Sequence, residues 1–280
     1  MSAMAVRITT KQGVALLPSP SSAPPTRQVL SSTVGDEPVL VAVAHGSRDP
    51  RHAQVVAELG AAVKGRRTSL QVEIAYLDLS EPRLPDVLRR LDAAGVRQAT
   101  AVPLLLAPAY HAKTDLPRAL RRARHDHPRL EVTAARALGP SPVLVTALER
   151  RLREAGIWPG DPNIGIVLGA AGTSDPAARR QIEQLAAEWA GSGWAGVGCA
   201  YASAGGPDVA TAATQLRRQG ADRVVLAPYV LAPGILPDRL FAGARAARLD
   251  ALAPVLGAAP EVASLIIERY QEITLLTASA

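Results

Sequence analysis

One block of sequence occurs twice, and that repeat limits the fold more than any other feature. Ala44-His-Gly-Ser-Arg-Asp-Pro returns as Ala170-Ala-Gly-Thr-Ser-Asp-Pro, 126 residues later. Ala75-Tyr76 returns as Ala200-Tyr201, Gly95 as Gly220, and Val102-Pro-Leu-Leu-Leu-Ala-Pro as Ala227-Pro-Tyr-Val-Leu-Ala-Pro, each at an offset of 125. Leu138-Gly139 with Pro142 is echoed by Leu256-Gly257 with Pro260 at an offset of 118. Ordered landmarks at nearly one offset imply two homologous units of similar size. They are read as domains 37–156 and 162–275, joined through Trp158-Pro-Gly-Asp-Pro.

Within the first unit, short apolar runs alternate with helical periods. Pro38-Val-Leu-Val-Ala-Val-Ala reads as a buried parallel strand. Residues 50–64 place Val55, Val56, Leu59 and Val63 at helical spacing. Further strands are expected from Leu70, Thr100 and Leu130, and further helices over 82–94, 115–124 and 141–155, with stops at Gly95 and Gly156. Such alternation predicts an α/β architecture: two Rossmann-like domains, each a parallel sheet flanked by helices.

Residues 1–36 differ. Leu17-Pro-Ser-Pro-Ser-Ser-Ala-Pro-Pro-Thr has no helical or strand period, and the segment is expected to be a disordered Pro/Ser-rich tail. It lacks the apolar stretch and cleavage site of a signal peptide, and the chain has no apolar run of the ~18 residues needed to span a membrane. A cytoplasmic location and no membrane partner follow as expectations. The single Cys199 excludes an internal disulfide or multi-cysteine metal site within one chain, and it reads as a packing residue. The net charge of +6 raises the question of an anionic partner. The basic residues form no run interleaved with aromatics, so no nucleic acid is expected, and a small polycarboxylate fits better.

Ligands of open parallel sheets bind beyond the carboxyl ends of the strands. His45 ends the first strand, Asp78 lies just past the second, and His111 just past the third. Two imidazoles and a carboxylate make a good ligand set for Fe²⁺, Co²⁺ or Ni²⁺. Each also has an ordinary alternative, as a capping or solvated loop residue. The repeat favours the functional reading. Ala171 stands where His45 does, Leu236 is the ungapped partner of His111, and the second half contains no histidine. His52, His125 and His127 read as ordinary helix residues, the last two at a helix C-terminus where positive charge suits the dipole. Gly46 suits a tight strand-to-helix turn, but no G-x-G-x-x-G or Walker pattern supports nucleotide binding.

These residues also carry a family likeness. His45-Gly-Ser-Arg-Asp-Pro, Ala75-Tyr-Leu-Asp-Leu-Ser-Glu-Pro and Val102-Pro-Leu-Leu-Leu-Ala-Pro-Ala-Tyr-His-Ala-Lys-Thr-Asp-Leu-Pro resemble the sirohydrochlorin chelatase family. That family includes the cobalt chelatase of anaerobic cobalamin synthesis and the iron chelatase of sirohaem synthesis. The resemblance spans roughly residues 38–275. It implies the class II chelatase fold, with two domains facing a common cleft. It implies a metal held or a proton accepted by His45 and His111, without an organic cofactor. Asp78 falls where the family commonly has Glu and is one methylene shorter, so ligation either direct or through water follows, with Glu81 as a further candidate. The implied substrate is an eight-carboxylate tetrapyrrole, and Arg48, Arg51 and Lys113 are candidate partners for its carboxylates. A stand-alone two-domain chain without a His-rich metal-storage tract favours Fe²⁺ and sirohaem over Co²⁺ or Ni²⁺ insertion. Because both halves lie in one chain, a monomer is expected. A non-catalytic metal or tetrapyrrole carrier is the alternative from another class.

Overall fold

The strand expected at Pro38 is β1 (Val39–Ala44), buried along its whole length. The computed structural model describes residues 37–107, 115–203 and 205–278. β1 is flanked by β2 (Val72–Tyr76) and β3 (Gln98–Pro103), and β3 pairs with β4 (Glu131–Ala134), giving the all-parallel order β2-β1-β3-β4. The second half repeats this arrangement. β5 (Ile164–Ala170), β6 (Gly196–Tyr201), β7 (Arg223–Tyr229) and β8 (Ala251–Leu252) form a parallel sheet in the order β6-β5-β7-β8. β1 and β5 occupy matching inner positions, where both faces are covered, which is why their sequences are continuously apolar.

Helices connect the strands: α1 (Pro50–Arg66), α2 (Leu84–Ala93), α3 (Leu116–Asp126) and α4 (Pro142–Glu154) in the first half, then α5 (Pro176–Ala190), α6 (Val209–Arg218), α7 (Ile235–Ala246) and α8 (Pro260–Ala278). Asp49 caps α1, Ser141 caps α4 and Asp175 caps α5, each followed by a proline at the first helical position. Gly95, Gly156 and Gly220 take positive φ just past α2, α4 and α6. Expected and observed ends differ by a few residues. The strand read from Leu70 begins at Val72, and that read from Thr100 begins at Gln98.

The two halves do not close separately. α4 packs against β7 of the second sheet, and α8 returns to pack against α1, α4 and β3. One core cluster therefore draws on both sheets. It holds Leu40, Ala42 and Val102 together with Ile164, Ile166 and Leu168, and adds Leu144, Leu148 and Leu152 of α4 and Val262, Leu265 and Ile266 of α8. The alternate residues of β1, namely Val39, Val41 and Val43, belong to a separate core with α2 and α3. Val167 of β5 likewise sits in a core with α6 and α7. Each sheet thus has a private face and a shared face, as the period-two alternation of strand side chains dictates.

Polar groups lock the exchanged helices. Arg150 of α4 pairs with Glu261 of α8 at 2.7 Å, and Arg151 donates to the Leu256 carbonyl. The fully buried Arg269 pairs with Glu268 and Glu272 and donates to the carbonyls of Ala137 and Leu138, so its charge is compensated where water is excluded. No described helix is long and apolar enough to cross a membrane.

Candidate functional site

The loops beyond β1 and β2 are tied together by their backbones. Leu77 N–H donates to Ala44 O at 2.9 Å and Asp78 N–H to His45 O at 2.8 Å. Ser80 Oγ accepts from Ser47 N–H at 3.0 Å and donates to Ser47 O at 2.9 Å. The crossing is so close that only glycine fits at position 46. Gly46 has φ +97°, and a Cβ there would overlap the Asp78 carbonyl oxygen and lie 2.9 Å from its carbon. The second half builds the same loop. Ala202 N–H donates to Ala170 O, Ser203 N–H to Ala171 O, and Gly172 has φ +94° beside Ser203. Asp49 N–H on Ser47 Oγ and Asp175 N–H on Thr173 Oγ1 are both 3.1 Å. Ala171 and Ser203 therefore occupy the places of His45 and Asp78 on an equivalent scaffold, and the scaffold needs neither the imidazole nor the carboxylate.

His45 is half-buried, with Nδ1 3.2 Å from Gly46 O. Asp78 is exposed, and its Oδ1 accepts from Arg83 Nη1 at 2.8 Å. The Leu79 backbone N–H, then Arg83 and His45 nearby, hold the Asp78 carboxyl below its usual range, so it is ionised at neutral pH. Glu81 is exposed too and engages the same arginine through its side chain and backbone N–H. A metal bound by either carboxylate competes with Arg83. Of the cations read as carboxylate partners, Arg48 is exposed. Arg51 is already engaged by Asp49 at 2.5 Å and by Asp238 of α7 at 2.6 Å, which together raise its pKa further. The Arg51–Asp238 pair ties the first turn of α1 to that of α7, and Gly234, just before α7, lies near Ser47, whose Oγ a side chain there would meet at 3.9 Å. His111 and Lys113 lie outside the described residues, as does the tail 1–36. Among the described residues, no three of the His, Cys, Asp and Glu side chains form a group able to hold a metal ion.

One residue set aside in the sequence sits close to this site. His52, in the first turns of α1, is half-buried, with its ring 6.3 Å from that of Tyr76. Its Nδ1 is buried with no hydrogen-bond partner among the described residues. Burial, then the proximity of His45, lowers its pKa and keeps it neutral. The repeat carried the signal, since the matching second-half position is Ala178. His125 and His127 stand at the end of α3 beside Asp126 and Asp92, away from the strand carboxyl ends. Cys199 is half-buried on the edge strand β6, and burial pushes its thiol up to about 11.

Comparison with known proteins agrees with the geometry. A sirohydrochlorin ferrochelatase of Priestia megaterium is 28% identical over 200 residues, 71% of this chain and 74% of that protein. A sirohydrochlorin cobaltochelatase of the same organism is 27% identical over 241 residues, 82% of this chain and 78% of that protein. The fold matches that of SirB from Bacillus subtilis, solved with Fe³⁺, with a TM-score of 0.74 at 24% identity over 84% of this chain and 95% of that one. The two Priestia relatives carry the name of the family that the motifs of this sequence resemble. The family model CbiX matches residues 39–155 and 165–273, one stretch for each sheet, and the chain belongs to the CbiX family.

Proposed function

We propose that this protein is a sirohydrochlorin chelatase that inserts a divalent metal, Fe²⁺ in the first instance, to make sirohaem. The observation that carries the reading is the asymmetry of the repeat. Two equivalent strand-end loops exist, and only the first bears His45, with His111 present only in the first half. Relatives named for iron and for cobalt insertion support the reaction class in equal measure. The preference for iron rests on the lack of a His-rich tract in the sequence.

Insertion releases two pyrrole protons while the incoming metal exchanges its ligands for four ring nitrogens. His45 and His111 hold the metal substrate or accept a proton, roles that imidazole fills near neutral pH. Asp78 adds a negative charge beside His45, directly or through water. Arg48 and Lys113 meet carboxylates of the tetrapyrrole, and Arg51 does so after exchanging Asp238 for the substrate. No organic cofactor takes part, and the active form is a cytoplasmic monomer.

The test is an anaerobic assay of purified protein with sirohydrochlorin and Fe²⁺, Co²⁺ or Ni²⁺ in turn, followed by absorbance. Turnover fastest with Fe²⁺ is expected. Faster Co²⁺ insertion would move the protein to cobalamin-type synthesis, and stoichiometric binding without turnover would make it a carrier. His45→Ala and His111→Ala should each slow insertion on the order of 10²-fold or more. Neither should unfold the chain. Near-wild-type rates in both would refute the site.

A further inference from the structure

We infer that Leu79 and Ile235, one from each half, are substrate-binding residues that support the apolar face of the tetrapyrrole. The inference rests on the reading of the protein as a sirohydrochlorin chelatase and involves no metal ligand. Both side chains face water, with 41% of Leu79 and 69% of Ile235 exposed. Neither belongs to any of the three apolar cores, although Leu77 and Leu240, close to them in sequence, do.

Hydrogen bonds and close approaches bring the two to one place, and Ser47, two residues past His45, is their common point. Ser80, next to Leu79, holds Ser47 through two hydrogen bonds of 3.0 and 2.9 Å. On the other side of Leu79, Asp78 N–H donates to His45 O at 2.8 Å. Gly234, next to Ile235, sits where a side chain would reach Ser47 Oγ at 3.9 Å. Ile235 and Asp238 are three residues apart in α7 and so share a face. Asp238 pairs with Arg51 of α1 at 2.6 Å, which turns that face toward the first half.

The backbone marks Leu79 as more than a surface residue. Its φ is +62°, in the left-handed region that large apolar residues rarely adopt. The other described non-glycine residue at positive φ, Arg248, follows the C-cap of α7, an ordinary place for that conformation. Leu79 ends no helix. The repeat does not ask for a large side chain there either, since the matched second-half residue is Ala204. Backbone strain kept together with an exposed apolar side chain points to function. The surroundings select the occupant. Arg48, exposed and adjacent to Ser47, and Arg51 place cations around the apolar pair. An apolar centre with a cationic edge complements a flat macrocycle that carries carboxylates on its periphery.

The test separates binding of the macrocycle from metal insertion. Metal-free sirohydrochlorin is titrated into the full chain, and its absorbance gives the dissociation constant. Leu79→Asn removes the apolar side chain with a residue that suits the left-handed backbone, and Ile235→Ser removes the second. Trp158→Ser is the control, because Trp158 is 70% exposed but lies in the link between the halves. Covering one apolar side chain contributes on the order of 10-fold in affinity. The dissociation constant should rise by about that factor in each of the first two variants and further in the double variant. Trp158→Ser should match wild type. The KM for metal and the melting midpoint should stay near wild type in all of them. A wild-type dissociation constant in the double variant, or equal weakening by Trp158→Ser, would overturn the inference. So would a fall in solution mass from dimer to monomer with macrocycle affinity unchanged, which would make the pair a contact between copies. If wild type itself binds no sirohydrochlorin, the chelatase reading falls and the inference with it. If wild type binds and inserts metal while the double variant binds as tightly, the inference alone falls.

Discussion

Gly46→Ala should be far more damaging than Gly95→Ala, although both glycines sit at positive φ, +97° and +81°. At Gly95 a Cβ meets no atom within 4 Å, so only backbone strain is felt, about 1 kcal/mol. At Gly46 the same strain is joined by collision with the Asp78 peptide group. A carbon–carbon contact relaxes at roughly 3.5–4.0 Å, while the new Cβ would lie 2.9 Å from the Asp78 carbonyl carbon and nearer still to its oxygen. The two loops must part, and that sacrifices the bonds from Asp78 N–H to His45 O and between Ser47 and Ser80. Three such bonds at about 1 kcal/mol each, added to the strain, give a loss of about 4–5 kcal/mol. Denaturant unfolding of the two variants beside wild type measures the difference. Under conditions where both remain folded, Gly46→Ala should also lose insertion activity on the order of 10²-fold, because His45 and Asp78 shift relative to each other. Equal and small destabilisation in both variants, or full activity in Gly46→Ala, would show that the crossing yields easily and that the argument from close approach is wrong.

Other outcomes follow from the same structure. Asp78→Ala should reduce the initial rate less than either histidine change, and Asp78→Glu should retain it. A larger loss than in His45→Ala would make Asp78 a principal ligand. Leu148→Ala, in the fully buried face of α4, should cost about 2–5 kcal/mol and lower a single unfolding transition seen by probes in both halves. Separate transitions would contradict the shared core. Acid should weaken the helix exchange. The hydrogen-bonded Arg136 guanidinium, with Arg269, holds Glu272 below the usual glutamate range; burial pushes Glu261 up, but its bonds to Arg150 outweigh that. Both are depressed in the folded state, so their stabilisation is complete above the unfolded value near pH ~4.3 and is lost as pH falls through the folded ones. Denaturation midpoints measured down that range should fall less steeply in Glu261→Gln than in wild type.

Much of this was legible because the repeat and the strand-end rule act locally. The loop after β1 could be placed from seven residues, and its partner in the second half reproduces its hydrogen bonds with Ala171 in place of His45. Helix caps at Asp49 and Asp175 follow from an acidic residue before proline. The exchange of α4 and α8 was not legible. The apolar period of a helix says that one face is buried, not which sheet it covers. For the same reason the sequence did not link Tyr229 to Leu106, or Arg51 to Asp238, 187 residues apart. A lone histidine in a helix is usually ordinary, so the sequence does not single out His52, whose approach to His45 arises only when α1 packs against β2.

The helix exchange makes the two halves depend on each other for their cores. The shared face of the first sheet, with Leu40, Ala42 and Val102, shares a core with Val262, Leu265 and Ile266 from the last helix of the chain. Without the second half, that face would meet water, at roughly 25 cal/mol for each Å² exposed. The second sheet depends in turn on Leu144, Leu148 and Leu152 of α4. Neither sheet can relax alone, so the spacing between their carboxyl ends is set by the interlocked helices rather than by the loops at the site. The loops themselves are held by a short polar tie, the Ser47–Ser80 pair, and the helices that follow them by the Arg51–Asp238 pair. An exposed ion pair of that kind contributes little stability. Under the proposed function, this pair would open to a substrate carboxylate while the shared core stays closed.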